Sequence, residues 1–552
     1  MATLEVRNQE SNSLALNDSS VKHHLLGFVS FALAFEKVVE QSSNATFKLS
    51  ELSWPTLTII GLGLAWIVWR VYSFTVYPLL HPREPKEVPY TVPFLGHAID
   101  FFRDGEKAAR LGREYFNNSS IPYMMRVAGQ RMYFVTAPQD INTVYRNTKT
   151  LSTEKFAKDM MKSLGVSADG MKKGWGNPAE KPLSEHAVDI FRKQFNPGPN
   201  LTSIWTSMSH HMDKALTWDN VPRDAIRSEG KTQMTMSLWT FTRAVLIDSL
   251  NLALFNKTLT DLQPNMVQII SDFDDYSWQL IYQLPPVMAK EVHNALAELK
   301  STFRTYFAIP QPDRADAAYM VTALEDKIRA FGLGPDDLAT MFVVPMWVTN
   351  SNAYKQAFWV LAHILHDEHL HSTIKHEIKA SIAANPHLDL PAALELCPSL
   401  MAVYNESLRH ITSSLSVRSV AADTEIAGKL LRKDGIVTMP YRPMHHDASL
   451  WGPQADTFDP ARWTSAQKDL TKGKEFRPFG GGSTYCPGRA IALKAVLTFV
   501  GIAFTRFDVR LPEGVERSWE RLARMVDTKA VSVGILPPLE GEDVEVVIRK
   551  VG

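Results

Sequence analysis

A mainly α-helical body with a minor β region, preceded by one N-terminal transmembrane helix, is the fold class this sequence predicts. Three observations carry it. Residues 56–69, TLTIIGLGLAWIVW, form an uncharged apolar run. The long segments 336–366, 369–384 and 398–411 space their apolar residues as helices do. Strand-like runs are short and few, the clearest being YFVT at 133–136 and IVTMPY at 436–441.

The apolar run extends past Arg70 through VYSFTVYPLL to Leu80, and a spanning helix needs about 20 apolar residues. We therefore read 1–54 as an N-terminal extension, lumenal in this topology, and 55–80 as the transmembrane anchor. A buried core helix is the alternative; Trp66, Trp69 and Tyr72, suited to an interfacial belt, favour the anchor. A cleaved signal fits poorly, because more than 50 residues precede the run. Residues 24–39 form a second apolar stretch, broken by Glu36 and Lys37 and more amphipathic than spanning. Asn17 and Asn44 each open an Asn-x-Ser/Thr sequon, a glycosylation site if this end is lumenal. Prolines at 82, 85, 89 and 93 predict a semi-rigid, extended hinge over 81–95. The globular body then covers 96–552.

With 45% hydrophobic residues the chain can bury a large core, which excludes a disordered protein. Its 59 basic and 59 acidic residues balance, against nucleic acid as a main partner. Only two cysteines are present, Cys397 and Cys486, too few for a disulfide framework and without a Cys-x-x-Cys zinc pattern. Either could be an inert buried thiol.

The neighbours of Cys486 decide its reading. In FRPFGGGSTYCPGRAIALKAV, residues 476–496, Gly480 to Gly482 allow close backbone approaches. Pro487 suits the first turn of a helix beginning near Gly488. Helix amides just beyond the sulfur are expected to lower its thiol pKa. Phe479 can shield the sulfur, and Gly488 leaves room for a flat macrocycle. A glycine turn leading to a buried cysteine would explain three glycines alone. It does not explain Phe479, Gly482, Cys486 and Gly488 at Phe-x-x-Gly-x-x-x-Cys-x-Gly spacing.

That loop resembles the haem-binding signature of the cytochromes P-450, whose proximal iron ligand is a cysteine thiolate. The resemblance implies the cytochrome P-450 fold, haem b (iron protoporphyrin IX) held by Cys486, and monooxygenase chemistry. It further implies NADPH electrons through a partner NADPH-cytochrome reductase. Thr484 departs from the family pattern, which commonly has a basic residue there to meet a haem propionate. Arg418, in SLSVRS, resembles the family's other propionate contact and would replace it; a surface strand arginine is the plain alternative. Glu406 and Arg409 match the Glu-x-x-Arg helix, with Arg462 of FDPARW as third member of a structural triad that holds the cysteine loop.

On the oxygen side the match loosens. Val348, Thr349, Asn350, Ser351 and Asn352 align with the family's Ala/Gly-Gly-x-Asp/Glu-Thr core, so Ser351 stands for the acid and Asn352 for the alcohol. O–O cleavage needs protons through a held water chain. An asparagine amide can orient water but cannot ionise. Pro345 is expected to kink this helix. The asparagine, with ESLR and the Arg409–Arg418 spacing, is similar to the branch containing sterol 7α- and 12α-hydroxylases and prostacyclin synthase. That branch holds both monooxygenases and an isomerase.

The resemblance thus implies a membrane-bound monooxygenase acting on a bulky apolar small molecule of terpenoid, sterol, polyketide or alkaloid type. Fungal secondary-metabolite biosynthesis is the suggested setting, in the endoplasmic reticulum membrane, single-pass, with the body facing the cytosol. The reductase would dock near Lys472, Lys474, Arg477 and Arg489. Two rivals stand: a haem-thiolate isomerase or dehydratase acting on a peroxide, and a non-catalytic haem or sterol-binding protein.

Overall fold

The computed structural model describes residues 53–177, 180–465, 469–531 and 534–550. Asn17, Asn44 and the amphipathic stretch at 24–39 lie outside the described residues.

Helix α1, Trp54–Leu80, opens on Pro55 and carries a π-turn at Tyr72–Val76. None of its most apolar 18-residue window is buried by protein, as expected of a segment whose solvent is lipid. The other helix apolar enough to span, Leu238–Leu262, is 67% buried over that window and is a core helix. The proline hinge is not a free spacer. It doubles back along α1, where Trp66 Nε1 donates to Thr91 O (2.7 Å) and Arg70 Nη1 to Tyr90 O (2.6 Å). Burial of Val88 and Tyr90 in the body draws the strap in.

A five-stranded sheet has the order β1-β2-β9-β6-β3, built from Tyr123–Val127, Gln130–Phe134, Ile436–Pro440, Leu415–Val420 and Leu151–Ser152. The β2 strand starts and ends earlier than the 133–136 run suggested; Thr136 is followed by Ala137-Pro138, which opens helix α2, Pro138–Arg146. A four-stranded sheet, β10-β11-β5-β4, joins Phe507–Arg510, Glu545–Lys550, Gln233–Ser237 and Ile226–Glu229, and a hairpin pairs β7, Thr424–Ile426, with β8, Lys429–Leu431.

The helical body supplies the core. It includes α3, Leu238–Leu262, α4, Met266–Tyr276, α5, Pro335–Asn350, α6, Ala353–Leu365, α7, Pro398–Ile411, and α8, Arg489–Arg506. The 336–366 segment is therefore two helices. The chain runs helical through Pro345 and breaks at Ser351–Asn352, where Asn352 has φ −125° and ψ −37°. Side chains compete with the main chain there: Thr349 Oγ1 donates to Pro345 O (2.8 Å) and Asn350 Nδ2 to Met346 O (2.9 Å). Helix α6 is buried along nearly its whole length, at the centre of the molecule between α3, α7 and α8.

Candidate active site

The cysteine loop is a backbone construction. Gly480 (φ +74°) and Gly482 (φ +59°) take left-handed conformations that side chains resist. Cys486 N–H donates to Phe479 O (3.0 Å), closing the loop under the sulfur. Gly488 caps α8, which starts at Arg489 as the proline-led pattern required. A Cβ on Gly488 would stand 3.8 Å from Cys486 Sγ, ordinary contact with the protein's own atoms. The open face it preserves is free for a flat group, and Cys486 itself is only half-buried. The thiol pKa runs opposite to the sequence expectation. Burial pushes it up, outweighing the Gly488 and Arg489 amides and the Arg489 charge that pull it down.

Behind the loop, Glu406 and Arg409 are wholly buried and paired bidentately, Nε to Oε2 at 2.9 Å and Nη2 to Oε1 at 2.7 Å. Arg409 also donates to His445 O (2.6 Å), Ala455 O (2.7 Å) and Thr457 O (3.1 Å), which occupies all its N–H groups. Arg462 is less engaged than the triad pattern implies. Its Nε lies 3.6 Å from Glu406 and it donates instead to Trp451 O and Gln454 O. The hydrogen bond to Glu406 Oε2 comes from the next residue, Trp463 Nε1 (2.9 Å). His445 completes the link: its Nε2 accepts from Arg477 N–H (3.0 Å), three residues before Gly480. Burial holds His445 well below the usual histidine range, so it is neutral with its proton on Nδ1.

Arg418 is 5% exposed, which excludes a surface strand arginine. Its Nη2 donates to Thr484 Oγ1 (2.8 Å), so the guanidinium stands beside the position where the family pattern has a base. It lies 5.2 Å from the Tyr145 ring, and Tyr145 and Tyr441 share a hydroxyl–hydroxyl hydrogen bond. Tyr145 presses on the glycine turn closely enough that a Cβ at Gly481 or Gly482 would come within 2.8 Å of its ring. Arg477 faces the same ring and bonds Asn142, with its Nε unpartnered. Among the described residues neither Arg418 nor Arg477 meets a carboxylate. Two cations without counter-charge, beside a half-buried thiol and an open glycine face, fit a flat dianionic macrocycle. Tyr145, Tyr441, Arg477, Trp463 and His445 were missed as site residues in the sequence. Arg477 and Arg489, expected on the docking face, are half-buried; Arg489 donates to Cys486 O (3.0 Å) and lies over the exposed Tyr485 ring. Lys472 remains exposed, paired with Asp469.

On the other side, Ser351 is buried and Asn352 half-buried at the helix break. Asn352 Nδ2 donates to Ser351 Oγ (3.0 Å), while its Oδ1 accepts from Ile535 N–H (2.8 Å). Asn350 turns away to Asn251 (3.0 Å). One turn further, Lys355 and Asp274 form a buried ion pair (2.7 Å, 5% and 6% exposed) that Trp347 Nε1 also joins (2.7 Å).

With this geometry in hand, comparison with known proteins is informative. Residues 86–526 match the sequence model of the family described as Cytochrome P450. The Penicillium oxalicum protein named cytochrome P450 monooxygenase poxD is 25% identical over 461 residues, spanning 80% of this chain and 89% of its own. Cholesterol 7-alpha-monooxygenase of Cricetulus griseus is 22% identical over 516 residues, spanning 87% and 98%. The solved structure of retinoic acid bound cyanobacterial CYP120A1 superposes with a TM-score of 0.64 over 85% of this chain and 99% of that one, at 16% identity, which establishes the fold. The chain belongs to the cytochrome P450 family, a family of oxidoreductases.

Proposed function

We propose that this protein is an NADPH- and O2-dependent monooxygenase that inserts oxygen into a bulky apolar small molecule. Its setting is the endoplasmic reticulum membrane, with the body on the cytosolic face and electrons supplied by a membrane-bound NADPH-cytochrome reductase. The single observation that carries the reading is Cys486 at a helix N-terminus beside two guanidiniums lacking counter-charge. Haem b fits there, with Cys486 as its iron ligand, Arg418 and Arg477 at its propionates, and Phe479, Gly482 and Gly488 around the sulfur. The bound haem would supply the oxygen-activating chemistry, its thiolate ligand favouring O–O cleavage.

The chain's own residues set the conditions. The Glu406–Arg409 pair, Trp463 and His445 hold the loop so that Sγ keeps its aim. Ser351 and Asn352 are the oxygen-side residues, with Ser351 Oγ the hydroxyl able to hand a proton onward. An apolar substrate reaches the body from the bilayer that α1 enters. Relatives from Penicillium oxalicum and Hypoxylon pulicicidum that are named cytochrome P450 monooxygenases support the monooxygenase reading. The cholesterol 7-alpha-monooxygenases keep a sterol among the candidate classes.

Reconstitution with a fungal reductase tests this. The expected result is NADPH consumption dependent on both reductase and an apolar substrate, yielding oxygenated product carrying 18O from 18O2. Asn352 in place of the usual alcohol favours one second reading, an isomerase acting on a peroxide. Turnover of an organic hydroperoxide without NADPH or reductase, and no product with them, would replace the first reading by the second.

A further inference from the structure

Residues 534–536 are bonded along both edges. On one edge, Ser413 N–H donates to Gly534 O (2.9 Å) and Leu536 N–H to Ile411 O (3.0 Å), with Thr412 and Ile535 paired antiparallel. On the other edge stands α6 with its preceding break. Asn352 Oδ1 takes the Ile535 N–H, and one face further along, the wholly buried Trp359 Nε1 donates to Leu536 O (2.8 Å). Three stretches far apart in sequence are therefore linked in series: Asn352 at the oxygen-helix break holds the 534–536 segment, and that segment pairs with Ile411–Ser413, which leads into β6. The last of these runs on to Arg418, six residues beyond Thr412.

Gly534 records how tight the seat is. Its backbone is not in the left-handed region, so conformation does not demand glycine there. Space does: a Cβ would lie 2.1 Å from Asn352 Oδ1 and 2.6 Å from its Cγ. The carboxamide is thereby fixed on its acceptor side by a backbone amide and on its donor side by Ser351. A threonine or serine hydroxyl, one atom past Cβ, could not span both partners.

We infer that Asn352 is a positioning residue: through Ile535 it sets the 534–536 segment, and with it the Ile411–Ser413 stretch that leads into β6, against the oxygen-helix break, and so fixes where substrate carbon lies. This rests on the monooxygenase reading for its catalytic consequence, but not for its geometry. Product pattern and coupling should then follow the Ile535 hydrogen bond rather than any proton donated by residue 352.

The test compares Asn352→Leu, Asn352→Asp, Gly534→Ala and the double variant Asn352→Ala/Gly534→Ala in the full-length haem-loaded protein. Asn352→Leu is nearly isosteric and removes both bonds. Asn352→Asp keeps an acceptor for Ile535, and Ser351 Oγ–H can turn to donate to it. Hydrogen exchange of the peptide containing 534–536 is expected to quicken about tenfold in Asn352→Leu and to stay within about threefold of wild type in Asn352→Asp. Regiochemistry and the ratio of product to NADPH should shift in Asn352→Leu and Gly534→Ala and be restored in Asn352→Asp. In the double variant the added methyl occupies the space the carboxamide left, so its thermal midpoint should exceed that of Gly534→Ala alone. The affinity of 4-phenylimidazole, read from its Soret shift, follows the same order and does not depend on turnover.

Unchanged exchange in Asn352→Leu would overturn the inference. So would quickened exchange with an unaltered product pattern and 4-phenylimidazole affinity, or Asn352→Asp behaving as Asn352→Leu. A wild type that makes no oxygenated product would sink the monooxygenase reading while exchange and azole binding still judge the junction.

Discussion

The two faces of the site are held by different means. On the sulfur side, the central buried charge is answered at every donor: Arg409 uses all its N–H groups on one carboxylate and three main-chain carbonyls. The loop it supports has no freedom except at the sulfur and the glycine face. On the oxygen side, the helix is interrupted, Asn350 Oδ1 and Asn251 Nδ2 are left without partners, and one carboxamide ties the helix break to the 534–536 segment. The first face is over-determined, as a ligand site for one invariant group should be. The second is lightly held, which would let substrate specificity vary without disturbing Cys486.

The sharpest way to break that contrast is within the triad. Arg409→Leu strands Glu406 as an uncompensated buried charge, a loss of about 3–5 kcal/mol, and should abolish soluble haem-loaded protein. Arg462→Leu, lacking a hydrogen bond to Glu406, should cost about 1 kcal/mol or less and leave a folded protein by thermal unfolding. If both behaved alike, the two arginines would be equal members after all.

The oxygen side has one comparable charge pair. Asp274→Asn or Lys355→Met alone should cost about 3–5 kcal/mol by chemical denaturation, with the double variant recovering most of it. Additive losses would show that the pair is not coupled. Next in size is Trp463→Phe, which removes one donor to a charged carboxylate. It should lose about 1.5–3 kcal/mol, more than Arg462→Leu, reversing the order expected from the triad pattern.

Acid sensitivity should separate the faces more gently. Burial lowers His446, beside His445 and His410, to about 4. The unfolded chain therefore binds this proton below about pH 6.5 while the folded chain does not. Folding stability is full above that pH and falls as pH drops from 6.5 toward 4, by up to about 1.4 kcal/mol per unit for this group. His446→Asn should flatten the fall in urea midpoint between pH 6.5 and 5; an unchanged slope would mean the group is not protonating on unfolding.

What could be read in advance follows from how local each constraint is. The cysteine loop is written in ten consecutive residues, since left-handed glycines, a proline and a helix start are all local requirements. Glu406 and Arg409 are one helical turn apart and were equally visible. Trp463 was adjacent to a recognised arginine, yet which of the two bonds Glu406 is decided by packing. The Arg477–Asn142 contact spans 335 residues and the Asn352–Ile535 contact 183, and no spacing encodes either. Pro345 drew attention as a kink, but the helix runs on through it, and side-chain hydrogen bonds at Thr349 and Asn350 accompany a break six residues later that no proline marks. The thiol pKa was misjudged because helix amides can be seen in a sequence and desolvation cannot.

The central claim is that Cys486 ligates a haem iron. The reduced, carbon monoxide-bound difference spectrum tests it most directly. The account predicts a thiolate-type Soret band in the wild type, lost in Cys486→Ala and retained in Cys397→Ala. A wild type without that band, or a Cys486→Ala protein that keeps it, would contradict the account.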